Sequence, residues 1–326
     1  MRHGSVSVSL AKSLIELRKR IEAAKIPPSK LDETLNFATW NIREFGRKKR
    51  KARAIHYIAE ILSQFDLIAI TEVRSNLEDL LRAMYIMGPY WDMVFSDFDT
   101  DPAGNQERIA YVFDKRMVRF TGLAAEAGPP RRKDKKSGEY LPAYTWWRSP
   151  YMASFRAGNF DFVVLAVHIR WAGGEKDRLV ALKGLADWVD KRRKHKFAVD
   201  KDIIVVGDMN IPSRRSESYK IITNNGKGLR LPRGLENIEE KQATTNLSRT
   251  ATYDQILHYP THAERFTNNG GVLDFYQGDI KPLFPDDPDL WQGDKHTYQM
   301  SDHLPLWVQI DTWIEDHQLD SCLAGR

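Results

Sequence analysis

The chain has 326 residues, of which 42% are hydrophobic and 29% charged, so a sizeable core is expected and wholesale disorder is excluded. Its single cysteine, Cys322, excludes an intrachain disulfide and a zinc site built from cysteines. The formal net charge of +5 is modest, but the positive charge is clustered in short runs.

Residues 1–20 carry charges throughout and lack the continuous apolar stretch of a signal peptide. The longest apolar run, around Phe162–Val167, is far too short for a membrane span. We therefore expect a cytoplasmic protein without a membrane span. Apolar residues then recur at helical spacing over residues 9–26, and the pair Pro27-Pro28 ends this helix.

Strands and helices interleave from residue 35 onward, as expected for one large α/β domain. We expect residues 1–34 to be a helical extension, 35–312 the main domain and 313–326 a tail. The predicted strands are 35–40, 67–71, 109–114, 160–167, 202–206, 253–257 and 306–310, and the predicted helices are 55–64, 77–84 and 176–194.

Polar residues follow many of these strands, at the positions where functional sites form because the sheet holds the loop roots rigidly. Each such residue is common as a turn former or helix cap when it stands alone. Their recurrence at so many strand ends favours function. The residues after strands are Asn41, Glu72, His168, Asp208 and Asn210, and Asp254 and the pair Asp302-His303 join them late in the chain.

Seven short motifs contain these residues: TWNIREFG (39–46), ITEVRSN (70–76), QERIAYVF (106–113), VHIRW (167–171), GDMN (207–210), TYDQI (252–256) and SDH (301–303). Their order and spacing resemble the endonuclease/exonuclease/phosphatase superfamily and, within it, deoxyribonuclease I. The resemblance extends from about Leu35 to Ile310. It implies a four-layer α/β sandwich, with two packed β-sheets flanked by helices.

The resemblance also implies an activity, that of a Mg²⁺-dependent phosphodiesterase. More specifically, it implies a DNA endonuclease of low sequence specificity that leaves 5′-phosphate and 3′-hydroxyl ends. Mn²⁺ or Ca²⁺ could replace Mg²⁺. The expected partner is nucleic acid, DNA in preference to RNA.

Roles for individual residues follow from the same resemblance. It implies Glu72, Asp302 and Asn41 as metal ligands, and Asp208 with Asn210 as the pair that contacts the scissile phosphate or a second ion. His303 with Asp254, and His168 with Glu107, match two catalytic histidines and their carboxylate partners. The side chains implied to bind substrate phosphates are Arg43, Arg74, Arg148, Lys48 and Lys49.

The residue types suit this chemistry independently of the resemblance. Carboxylate and amide oxygens are the ligands of Mg²⁺, which also takes oxygens from substrate phosphate and stabilises charge in the transition state. Two histidines, each held by a carboxylate, can supply an acid and a base near neutral pH. We favour His303 as the base and His168 as the acid or phosphate donor, and the reverse assignment stays open.

Basic runs at 47–53, 131–136 and 191–196 are typical of solvated surface. The first leaves the loop beside the predicted metal site, so we expect it to contact nucleic acid. The aromatic cluster of Tyr144, Trp146, Trp147 and Tyr151 is expected in the core. Asn105 stands just upstream of QER, where deoxyribonuclease I has a tyrosine that enters the DNA groove.

Two other functions remain open. A phosphomonoesterase or phosphoinositide phosphatase could use the same fold, because a fold does not specify a substrate. A non-catalytic nucleic-acid binding protein would need the basic surface but neither the metal carboxylates nor both histidines.

Overall fold

The computed structural model describes residues 1–98, 105–171, 175–198, 200–313 and 322–323. Its helices are α1 (Val8–Ala23), α2 (Ala52–Leu62), α3 (Glu78–Met87), α4 (Glu175–Lys194), α5 (Glu217–Ile222) and α6 (Arg233–Glu236). Its strands are β1 (Thr34–Phe45), β2 (Leu67–Arg74), β3 (Trp91–Phe95), β4 (Glu107–Asp114), β5 (Arg119–Glu126), β6 (Arg131–Lys133), β7 (Tyr140–Pro142), β8 (Tyr151–Ala157), β9 (Phe160–His168), β10 (Ile203–Asp208), β11 (Asp254–His258), β12 (Phe266–Val272) and β13 (Leu306–Asp311).

Two mixed sheets contain most of these strands. The six-stranded sheet has the order β12-β13-β1-β2-β4-β3, and the five-stranded sheet has the order β11-β10-β9-β8-β5. Each sheet contains a parallel pair, β1 with β2 in the first and β9 with β10 in the second. The remaining strands β6 and β7 pair with each other.

Alternate residues of β1 enter different cores, because successive side chains of a strand point to opposite faces. Leu35 and Phe37 belong to the cluster shared with the five-stranded sheet. Ala38 and Trp40 belong to the cluster that buries the apolar faces of α1, α2 and α3. Leu185 of α4 lies with the five-stranded sheet. The predicted fold of two packed sheets with flanking helices is therefore confirmed.

Helix α1 packs on the domain. Ser7 caps it by accepting a hydrogen bond from the Leu10 amide at 3.2 Å. The buried Arg20 side chain donates to the backbone carbonyls of Tyr276 and Asp279, both at 2.6 Å. The helix starts one residue earlier and ends three residues earlier than predicted. The boundary at residues 34 and 35 stays a prediction.

Several strands were not predicted, namely β3, β5, β6, β7, β8 and β12. The interior strand β8 contains alanines and a serine, and β12 has the sequence FTNNGGV, whose asparagines and glycines are typical of turns. These strands form because a neighbouring strand supplies hydrogen-bonding partners. Within the described residues, no helix has the length and apolar character to cross a membrane. The predicted tail 313–326 lies mostly outside the described residues.

Candidate active site

One row of the five-stranded sheet contains three of the predicted site residues. Asp208, the last residue of β10, is paired with His168 on the parallel strand β9 and with Asp254 on the antiparallel strand β11. All three are buried. Strand register therefore places one histidine and two carboxylates side by side, although they are far apart in the sequence.

The glycine of the GDMN motif makes this register possible. Gly207 has a φ of 120°, and a Cβ atom there would lie 2.1 Å from the carbonyl oxygen of Val167 on β9. Only glycine allows this close approach of two backbones. After it, the Asn210 amide donates to Asp208 Oδ1 at 2.9 Å, and Asn210 Nδ2 donates to the Ile169 carbonyl at 2.6 Å. Asn210 thus orients Asp208 through one hydrogen bond and holds the loop after β9 in place through the other.

The six-stranded sheet supplies the opposite wall of the site. The β1–β2 register shifts between Asn41 and Phe45, and the β2–β4 register shifts between Ile70 and Val73. Such irregularities redirect side chains, and Glu72 has a φ of 61°. Asn41 Nδ2 donates to Glu72 Oε1 at 3.0 Å and to Asp208 Oδ2 at 3.1 Å. Asn41 therefore connects the two sheets.

The first histidine–carboxylate pair bridges the sheets on one side of Asp208. His168 Nδ1 donates to Glu107 Oε2 of β4 at 2.7 Å, and His168 Nε2 lies 3.6 Å from Asp208 Oδ2. Burial opposes protonation of His168, but the charge of Glu107 raises its pKa overall. Burial opposes ionisation of Glu107, yet the charges of His168, Arg148 and Arg74 lower its pKa to about 2.

The second pair bridges the sheets on the other side. His303 Nδ1 donates to Asp254 Oδ2 at 2.7 Å, and His303 Nε2 lies 3.9 Å from Asp208 Oδ2. Burial works against the protonated ring, but the charges of Asp254 and Asp208 raise the pKa of His303 to about 10. Burial, together with the charge of Asp254, raises the pKa of Asp208. Both rings therefore point their Nε2 atoms toward one carboxylate.

The donor set between the walls fits a hard cation. Asn41 Oδ1 and Asp254 Oδ1 are buried oxygens that have no hydrogen-bond partner within the described part of the chain. Such acceptors suit a metal ion or its water. Ligand atoms of Asp208, Asp254 and His303 lie within 4.8 Å of one another, a grouping that could hold an ion. The predicted ligand Asn41 adjoins this group through Asp208, and the predicted ligand Glu72 adjoins it through Asn41.

Asp302 lies farther out than its predicted role requires. Its side chain is 43% exposed, and its Oδ2 atom lies 3.9 Å from Arg43 Nε. Arg43 also donates to Asp294 Oδ2 at 3.0 Å and to the Tyr298 hydroxyl at 2.7 Å. Metal binding by Asp302 and phosphate binding by Arg43 both stay predictions.

Sequence analysis did not single out Ser301, which positions the SDH motif. This buried hydroxyl donates to the Asn41 carbonyl at 2.6 Å and accepts from the His303 amide at 3.0 Å and the Arg43 amide at 3.2 Å. It fastens the loop that contains His303 to the end of β1. Its position directly before Asp302 and His303, inside the SDH motif, is the signal that could have found it.

Arg74 and Arg148 occur in separate segments of the sequence but converge on one carboxylate. Arg148 Nη2 donates to Glu107 Oε1 at 3.0 Å, and Arg74 Nη1 lies 3.5 Å from the same oxygen. Asn105 Nδ2 also donates to it, at 3.3 Å. A cavity of about 300 Å³ opens beside this cluster and is lined by Glu72, Glu107, Arg108, Arg148 and His168 among others. The two arginines thus form one compact cationic corner.

The basic run at 47–53 is mixed in character. Arg50 is buried and donates to the backbone carbonyls of Arg43 and Gln299, so it is a structural residue. Lys49 Nζ contacts Glu78 at 2.7 Å. Lys48 is exposed and has no ion pair among the described residues. Lys48 is therefore the member of the run that is best placed for a polyanion.

The aromatic cluster divides in the same way. Trp146 and Tyr151 are buried, and Tyr144 is partly buried against the core, as expected. Trp147 is different, because its side chain is 37% exposed. Its prediction as a core residue is wrong, because the backbone bends at Trp147, where φ is 66°, and does not continue the path of Trp146.

Solved structures with the same fold include those of three named proteins. The human Nocturnin catalytic domain with bound sulfate is 17% identical, with a TM-score of 0.54 over 87% of this chain and 96% of that one. A mannosyl-6-phosphatase from Bacteroides thetaiotaomicron is 15% identical (TM-score 0.53, 85% and 99%). Truncated Caenorhabditis elegans TDP2 is 13% identical (TM-score 0.54, 85% and 97%).

No curated protein sequence matches the chain. The sequence model of the Endonuclease/Exonuclease/phosphatase family, however, matches residues 38–303, which span every predicted catalytic and metal-binding residue. The matched segment covers well over half of the chain and contains strands of both sheets. The chain therefore belongs to the Endonuclease/Exonuclease/phosphatase family and has its phosphoesterase fold.

Proposed function

We propose that this protein is a metal-dependent phosphodiesterase that cuts nucleic acid, DNA in preference to RNA, with low sequence specificity. The observation that carries the proposal is the convergence of two histidine–carboxylate pairs on Asp208. When a phosphodiester is hydrolysed, water attacks phosphorus from one side and the leaving oxygen departs from the other. Two proton-transfer groups on opposite sides of one point suit that geometry.

In the proposed reaction, water oxygen bonds to phosphorus and the bond from phosphorus to the 3′ oxygen breaks. One histidine takes the proton from water, and the other gives a proton to the leaving oxygen. The products have 5′-phosphate and 3′-hydroxyl ends. Glu107 and Asp254 hold the two rings in place through Nδ1, which leaves each Nε2 free for the substrate.

A divalent cation, Mg²⁺ in our proposal, would be held by Glu72 and Asn41 with Asp302 or Asp208. It would supply positive charge to the phosphate oxygens. Although burial opposes it, the charges of Asp254 and Asp208 raise the pKa of His303, which favours a protonated ring. This opposes the sequence-based preference for His303 as the base, and the leaving-group experiment in the Discussion decides between the two assignments.

Positive charge beside the site, which we call the basic rim (Arg47, Lys48 and Lys49), favours nucleic acid as the substrate. Lys48 is exposed at the end of β1, close in sequence to Asn41, and Arg47 and Lys49 flank it. A polyanion that contacts these residues releases counterions, which contributes affinity without sequence specificity.

One observation favours a phosphomonoesterase as the second candidate. Arg74 and Arg148 converge at a single corner beside the cavity of about 300 Å³, which suits one compact terminal phosphate. A structurally similar protein is named a mannosyl-6-phosphatase. A phosphoinositide would be recognised through the same chemistry.

A substrate screen separates these candidates. The purified chain is incubated with supercoiled plasmid, single-stranded DNA, RNA, a sugar phosphate and a phosphoinositide, each with and without Mg²⁺. We expect nicked plasmid only with Mg²⁺, with nicks that DNA ligase seals. Hydrolysis of the monoesters alone would overturn the proposal in favour of a phosphatase.

The near-isosteric change Glu72→Gln tests the metal site in the same screen. It keeps the shape of the side chain but removes the charge that attracts the cation. We expect activity to collapse while circular dichroism and the melting temperature stay close to those of the wild type. Near-normal turnover of the variant would contradict the metal assignment.

A further inference from the structure

Aromatic rings extend outward from the catalytic histidine of the second pair. Tyr253 directly precedes Asp254, and its ring centroid lies 6.0 Å from that of His303. The Trp171 ring follows, 5.4 Å from Tyr253 at an interplanar angle of 71°. Trp171 is 55% exposed. The three rings therefore form a continuous path from the reaction centre to the surface.

Helix α4 holds Trp171 in place. The guanidinium carbon of Arg178 lies 4.7 Å from the Trp171 ring centroid, and Arg178 Nη1 donates to the Trp171 carbonyl at 3.0 Å. A cation against an indole ring is favourable and restricts its motion. Single exposed aromatic residues are ordinary on protein surfaces. An exposed ring that is fixed by its neighbours and joined to a catalytic residue is preorganised for binding.

A second exposed ring lies beside the other histidine pair. The guanidinium carbon of Arg170 lies 4.6 Å from the ring centroid of Trp147, and the next residue, Arg148, contacts Glu107. Residues 169–171, which follow His168, thus contact an aromatic ring next to each pair. An arginine lies against the ring of each of these two tryptophans.

We propose that Trp171 and Tyr253 form a stacking surface for an unpaired nucleobase next to the scissile phosphate, so that single-stranded nucleic acid is the preferred substrate. This inference rests on the proposed nuclease function. Bases stack on aromatic side chains without regard to sequence, and each such contact contributes roughly 5- to 150-fold in affinity. Bases inside a duplex are already stacked and would have to be extruded first.

The test compares a strand with bases to the same backbone without them. Fluorescence anisotropy in EDTA measures binding of labelled twelve-nucleotide oligothymidylate and of a twelve-unit abasic (tetrahydrofuran) strand of equal charge. We expect the wild-type chain to prefer the strand with bases by roughly 5- to 150-fold. Trp171→Ala should lose most of this preference and keep its affinity for the abasic strand, whereas Trp171→Phe should retain part of the preference.

Trp313→Ala is the matched control, because Trp313 is 46% exposed but follows the far end of β13 from His303. It should bind both strands like the wild type. A twelve-base-pair duplex should bind equally to the wild type and to Trp171→Ala. Oligouridylate extends the comparison to RNA, where the same preference for bases is expected.

Equal wild-type affinity for the two strands would overturn the inference, as would an unchanged preference in Trp171→Ala. The same oligonucleotides with Mg²⁺ test the proposed function separately. If no nucleic acid is cut, the nuclease proposal fails. If oligothymidylate is cut but bases add no affinity, only the stacking surface is wrong.

Discussion

The two histidine–carboxylate pairs are built alike but have different surroundings. In both, Nδ1 of the ring donates to a buried carboxylate at 2.7 Å and Nε2 faces Asp208. Glu107 also contacts Arg74 and Arg148, whereas the neighbours of Asp254 are His303 and a second acid, Asp208. One pair therefore lies in a cationic corner and the other in an acidic one.

This difference shows how a fold can give different properties to equivalent residues. Burial and the charge of Arg148 both lower the pKa of His168 and offset part of the effect of Glu107, which raises it. His303 interacts with two carboxylates, and its pKa is raised to about 10. The neighbours of each carboxylate, and not the histidine itself, thus determine how firmly each ring holds its proton.

The largest effect is expected when either ring is removed. His168→Ala and His303→Ala should each lower kcat by about 10²–10⁴-fold on plasmid or oligonucleotide, because each removes one proton transfer. DNA binding should persist in both variants. Retention of near-normal kcat in one variant would show that only one pair takes part in the chemistry.

A substrate with an easily lost group distinguishes the acid from the base. A p-nitrophenyl phosphodiester releases p-nitrophenolate, a stable anion that needs no proton. Removing the general acid should therefore lower the rate on this substrate only slightly, whereas removing the general base should still lower it strongly. The acid variant should therefore recover most of its activity on this substrate, and the other should not. If His303→Ala is the variant that recovers, His303 is the acid. Equal loss in both variants on both substrates would contradict the division of roles.

Loss of Glu107 and loss of Asp254 should have different effects on the free energy of unfolding. Glu107→Gln leaves two largely buried arginines that cannot release a proton, so the free energy of unfolding should fall by about 3 kcal/mol. Asp254→Asn should cost less, because His303 can become neutral. Urea unfolding measures both changes. Asp161→Asn, which removes an exposed pair with Arg156, is the control and should leave the unfolding midpoint unchanged.

The same comparison has a pH dependence. Because the folded-state pKa of Glu107 is lowered from 4.5 to about 2, its contribution to stability is present above pH 4.5 and is lost as the pH falls toward 2. The stability difference between the wild type and Glu107→Gln should therefore shrink over that range. A difference that stays constant from pH 6 to pH 2 would contradict the ion-pair explanation.

The smallest effect is expected at the basic rim. Its residues should contribute to affinity for DNA without changing either histidine–carboxylate pair. Lys48→Ala should reduce the slope of log affinity against log salt by roughly 0.7 for single-stranded DNA, since one phosphate contact is lost. Lys49→Ala should change it less, because Lys49 contacts Glu78. Lys30→Ala, at the opposite end of β1, is the control and should leave the slope unchanged. An unchanged slope in Lys48→Ala would show that the run is only solvated surface.

Sequence motifs predicted the fold and most of the strands, and they predicted both histidine–carboxylate partnerships, which the structure brings within hydrogen-bonding distance. They were least informative about β5, β8 and β12, whose small or turn-forming residues carry little strand signal. The basic run was also heterogeneous in a way that composition could not indicate, because Arg50 and Lys48 are equally charged but only Arg50 is buried.

What the sequence determined by itself is therefore the set of reactive groups and the strands that end in them, because residue type and hydrophobic alternation are local properties. The tertiary structure alone decided which groups became neighbours. Strand register placed His168, Asp208 and Asp254 in one row. Register between β2 and β4 placed Arg74 beside Glu107, and the segment before β8 brought Arg148 to the same carboxylate. The loop after β9 joined Trp171 to Tyr253. The difference between the two pairs arises from these long-range contacts, since an electrostatic environment depends on distance in space and not on distance along the chain.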